Sequence, residues 1–77
     1  MERTERMAQP KIVEKMMELQ VQHALPVNII VGKEIDGLRQ VIFEYDLIDY
    51  YIVQWLINKG VQYFTQLPAK DIMACHD

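Results

Sequence analysis

The sequence predicts an α+β fold in one small domain, and three observations lead there. Asp36-Gly37 lies between two runs rich in β-branched and aromatic residues, the pattern of a tight hairpin. Asp46 to Gly60 is an apolar segment with helix-start chemistry at one end and a helix-stopping glycine at the other. Ahead of both, Ile12, Met16 and Leu19 recur at helical spacing behind Pro10. The chain has 77 residues, which places it at the small end of single domains.

Taken in chain order, residues 1–8 carry charges of both signs with no apolar run, and are expected to fray. The same is expected of residues 73–77. Pro10 suits a first helical turn, and Lys11 to about Gln20 reads as a helix. Val13 and Met17 flank its apolar stripe, while Glu14, Lys15 and Glu18 hold the other side. From Met17 onward an apolar/polar alternation competes with the helical pattern, and Pro26 limits the helix in any case.

Val27-Asn28-Ile29-Ile30-Val31 reads as the first hairpin strand. A two-residue turn at Asp36-Gly37 opposes Ile35 to Leu38, Glu34 to Arg39, Val31 to Ile42 and Ile30 to Phe43. That register puts Ile29, Val31, Ile35, Leu38 and Ile42 on one face, and Ile30, Val41, Phe43 and Tyr45 on the other. Neither face is polar, so cover is expected on both, one helix to each. An all-α alternative competes, with a long helix from about Glu34 to Lys59. Leu38, Ile42, Tyr45, Ile48, Ile52 and Trp55 also recur at helical spacing. The Asp-Gly pair and the β-branched content favour the hairpin.

In the Asp46–Gly60 helix, Asp46 is placed as N-cap and Asp49 as its capping-box partner, both at the positive end of the helix dipole. Lys59 falls in the last turn and Gly60 at the left-handed position beyond it. Apolar residues occupy nearly the whole circumference, which is the mark of a buried helix. Val61 to Thr65 reads as a short third strand or a helical continuation, and Pro68 ends it.

Composition narrows the function classes. The formal net charge is −3. It belongs entirely to residues 41–77, because the six basic and six acidic groups before them cancel. With no basic cluster to neutralise phosphates, direct nucleic-acid binding is not expected. The apolar stretch from Leu47 to Ile57 is broken by Asp49 and Gln54 and falls short of the roughly 20 residues that span a bilayer. Cys75 is the single cysteine, so no intrachain disulfide can form. That, with a charged start, points to a reducing, cytoplasmic setting.

No catalytic or cofactor pattern stands out. Gly32, Gly37 and Gly60 are isolated, serine is absent, and no metalloprotease, CxxC or nucleophile-elbow spacing occurs. Cys75-His76-Asp77 contains catalytic residue types at a chain end, without a rigid surround. As metal ligands, Cys75 and His76 with His23 make three, short of the four at motif spacing that a structural zinc site takes. Capping accounts for Asp46 and Asp49, so no catalytic, cofactor or metal residue is expected and no cofactor is implied.

The expectation is therefore a non-enzymatic interaction or regulatory protein, a homodimer or the binder of a partner protein. Its interface is expected at Tyr50, Val53, Ile57 and Trp55 of the second helix and Met16 and Met17 of the first. An alternative is a small acidic inhibitor that occupies a basic, nucleic-acid-binding surface of another protein. A small ligand-binding domain or enzyme, with a pocket drawing on His23, Tyr45 or Asp49, is the third reading.

Overall fold

A computed structural model describes residues 1–64 of the chain. Its elements are β1 (Glu2–Ala8), α1 (Pro10–Gln22), β2 (Asn28–Ile35), β3 (Leu38–Tyr45) and α2 (Tyr50–Phe64), the last entered through a 3-10 turn at Leu47–Asp49. The strands form one antiparallel sheet in the order β1-β3-β2. The fold is α+β, and the long helix from about Glu34 to Lys59 does not form.

The hairpin turns at Asp36 and Gly37, with φ of 54° and 80°. Positive φ at both central residues is what a two-residue turn matched to strand twist requires. Next to the turn the register is as expected, with Ile35 opposite Leu38 and Glu34 opposite Arg39. An ion pair at 3.4 Å joins the latter two. Beyond it a bulge sets Gly32 and Lys33 against Gln40, so Val31 meets Val41, Ile30 meets Ile42 and Ile29 meets Phe43. This corrects the expected register by one residue, and a one-residue slip exchanges the faces. Ile29 and Val31 thus share a face with Val41, Phe43 and Tyr45, while Ile30, Ile35, Leu38 and Ile42 lie on the other.

Residues 2–8 are not frayed. They run the length of β3, from Glu2 opposite Tyr45 to Ala8 opposite Arg39. Arg3 and Glu44 form an ion pair at 3.5 Å, Gln40 donates to Glu5 at 3.4 Å, and Thr4 and Tyr45 are joined through their hydroxyls. The reason is topological. β3 is central and apolar, and its backbone groups need partners on both sides. The third strand is therefore β1. Val61 to Phe64 is the end of α2, and Thr65 lies outside the described residues, as do Pro68 and residues 73–77.

The core lies on one side of the sheet. Val41, Phe43 and Tyr45 are buried against Ile12, Val13, Met16 and Leu19 of α1 and Ile52, Val53 and Leu56 of α2. Both helices cover the same face, not one each as expected. Their contact explains Gly60, which does not end the helix. A β-carbon there would lie 2.9 Å from Ile12 Cγ2 and 3.1 Å from Met16 Cγ. Gly60 thus lets two helices approach, and α2 continues past it to Phe64. At the other end Asp46 makes no side-chain cap; its backbone carbonyl accepts from the Asp49 N–H at 2.8 Å.

Candidate interaction surface

Packing divides α2 into two sides. Ile52, Val53, Leu56 and Gly60 are buried at i, i+1, i+4 and i+8, which spends one apolar face on the core. Another apolar set, Ile48, Tyr51 and Trp55 at i, i+3 and i+7, points outward with Leu47 beside it. Leu47, Ile48 and Tyr51 are 71, 81 and 69% exposed. The 3-10 turn presents Leu47 and Ile48, and the first turns of α2 present Tyr51 and Trp55.

The end of α1 adds a wall to this stripe. His23 packs edge-on against Trp55, with ring centroids 5.7 Å apart. His23, Leu25, Tyr51, Ile52 and Trp55 line an open, largely apolar groove of about 290 Å³. Lys59 carries its Nζ 5.9 Å from the Trp55 ring centroid, within reach of a cation–π attraction. Asp46 and Asp49 flank Leu47 and Ile48 in the chain, so the end of the stripe near the turn has an acidic margin.

The six interface residues expected from the sequence separate. Met16 and Val53 belong to the core, which is a correction: the side of α2 that holds Val53 faces the sheet, and Met16 faces α2. Ile57 is half-buried against that core. Tyr50 is exposed, packs at 5.9 Å on Tyr45, and accepts a hydrogen bond from Gln54 Nε2 at 2.9 Å. Met17 is exposed on α1, and Trp55 lies in the stripe. Leu47, Ile48, Tyr51, His23 and Leu25 complete the surface but were not among those six. The 48/51/55 spacing was visible in the sequence; which side of an all-round apolar helix faces out was not.

His23, Tyr45 and Asp49 do not converge on one cavity. Tyr45 lines a separate cleft of about 330 Å³ with Pro26, Asn28 and Glu44, and His23 lies on the α2 groove. Among the described residues no charged side chain is buried and no three of His, Cys, Asp and Glu come together. No helix among them is long and apolar enough to cross a membrane. Cys75, His76 and Asp77 lie outside the described residues. Compared with protein-family models, curated proteins and solved structures, the chain matches none.

Proposed function

We propose that this chain is a non-enzymatic interaction protein that self-associates and offers the outer side of α2 to a partner protein. The observation that carries this is the exposure of Leu47, Ile48 and Tyr51 in a fold whose core is already closed by other residues. Contiguous apolar surface of this kind, with aromatic residues in a groove, is typical of protein contacts. Self-association draws on the same excess. Ile30 and Ile35 on the sheet and Val21 on α1 are exposed as well, and small domains commonly gain stability by assembling.

The stripe is tested with Ile48→Lys combined with Tyr51→Lys. Both residues are exposed, so the melting temperature should stay within a few degrees of wild type. Proteins retained by the immobilised wild-type chain should be lost from this variant. Equal retention by the two would show that the stripe does not hold the partner.

The acidic-inhibitor reading has one observation in its favour, the Asp46 and Asp49 margin beside the stripe. It calls for a partner with a basic surface, and binding that weakens steeply as salt is added. Salt-independent capture favours the apolar reading.

A further inference from the structure

Strand β1 lies at an edge of the sheet, and among the described residues no element pairs with its outer side. Its seven residues follow β3 in unbroken register, so that edge is regular. The opposite edge is not, because β2 is bulged between Val31 and Glu34. Bulges are a common way of blunting an edge. A regular edge with outward N–H and C=O groups can accept one further strand.

The strand that fits is written in β1 itself. From Glu2 to Arg6 it reads Glu-Arg-Thr-Glu-Arg. Laid antiparallel on a second copy about Thr4, this segment opposes Glu2 to the other copy's Arg6, Arg3 to its Glu5, and Thr4 to its Thr4. Each charged residue meets the opposite charge, and two-fold symmetry supplies every pair twice. Outward-facing backbone groups alternate along a strand, so a symmetric pairing can be centred only on a residue. Centred on Arg3 it sets Arg3 against Arg3, and centred on Glu5 it sets Glu5 against Glu5. Like charges directly opposite are destabilising, whereas opposite charges contribute favourably. Of these three registers, the one about Thr4 is fully complementary.

We infer that two copies of the chain pair through β1, antiparallel and centred on Thr4, to join their sheets into one of six strands. The inference rests on the reading of the chain as self-associating. It assigns the copy-to-copy contact to the sheet edge and leaves the α2 stripe to the partner protein. The charges that discourage indiscriminate edge pairing also select one partner, the same segment reversed.

Glu2→Arg and Arg6→Glu test this, because neither touches the Arg3–Glu44 pair or the Glu5–Gln40 contact. Alone, each variant replaces two attractive pairs with two repulsive ones, and should raise the dimer dissociation constant about tenfold or more. Mixed in equal amounts, the two should restore wild-type association as a heterodimer, since each supplies what the other lost. Circular dichroism checks that both are folded, and the mixture guards against a folding artefact, because a misfolded chain cannot be rescued by its complement. Unchanged dissociation constants, or folded variants that weaken alone and do not recover on mixing, would overturn the β1 assignment. If the wild type is a dimer that Ile48→Lys with Tyr51→Lys separates and the β1 variants do not, self-association stands and the edge pairing falls. A wild type that stays monomeric throughout overturns both.

Discussion

Ala24 takes φ 49°, in the left-handed region where a β-carbon costs about 1–2 kcal/mol. It is held there by the end of α1. The Leu25 N–H donates to the Gln20 carbonyl at 3.0 Å and the Ala24 N–H to the Val21 carbonyl at 3.2 Å, the paired bonds of a Schellman motif. The Gln20 side chain adds a bond from Nε2 to the Leu25 carbonyl at 3.0 Å. Glycine is the usual residue at this position. Ala24→Gly is therefore expected to stabilise the fold by about 0.5–1 kcal/mol, after allowing for the extra freedom glycine gives the unfolded chain. Urea unfolding checks it, and a loss of stability would show that the strain is not there. The same motif turns the chain so that His23 and Leu25 reach Trp55 and line the groove. A single strained residue thus helps to shape the candidate surface.

At the scale of elements, the contact between α1 and α2 depends on Gly60. Gly60→Val drives a side chain into Ile12 and Met16 with little gain in helix propensity, and should cost about 2 kcal/mol. Thermal unfolding measures this; an unchanged melting temperature would mean the helices are not held at that distance. Gly60 also shows what was and was not legible in the sequence. Glycine after an apolar run reads as a helix stop, and only the neighbouring helix reveals it as a packing residue. The Asp36-Gly37 turn was legible because its requirement for positive φ is local, and α1 because its apolar stripe is narrow. Strand β1 was not, because a charged segment such as Glu2 to Arg6 is a strand only through its ladder with β3. The bulge at Gly32 and Lys33 did have a local signal, the isolated Gly32 inside a strand pattern, but a hairpin register counted from the turn alone passes over it, and with it went the face assignment of the hairpin. Of the six residues expected at an interface, Tyr50, Trp55 and Met17 are exposed, and Trp55 alone lies in the stripe. Val53 and Met16 were misplaced because α2 carries apolar residues on nearly every side, so its own sequence does not say which side meets the core.

For the molecule as a whole, one two-layer core leaves apolar groups on the outer sheet face, on α1 and most of all at the start of α2. Small domains commonly cover such groups by associating. Two surfaces then divide the work. The β1 edge carries a self-complementary charge pattern suited to a second copy, and the Ile48–Tyr51–Trp55 stripe offers a groove to a protein of another kind. The first depends on the claim that the chain self-associates. Sedimentation equilibrium of the wild-type chain across the micromolar range tests that claim most directly. Self-association gives a mass that rises with concentration toward twice the 9.1 kDa of one chain. A mass that stays at 9.1 kDa at every concentration would contradict it.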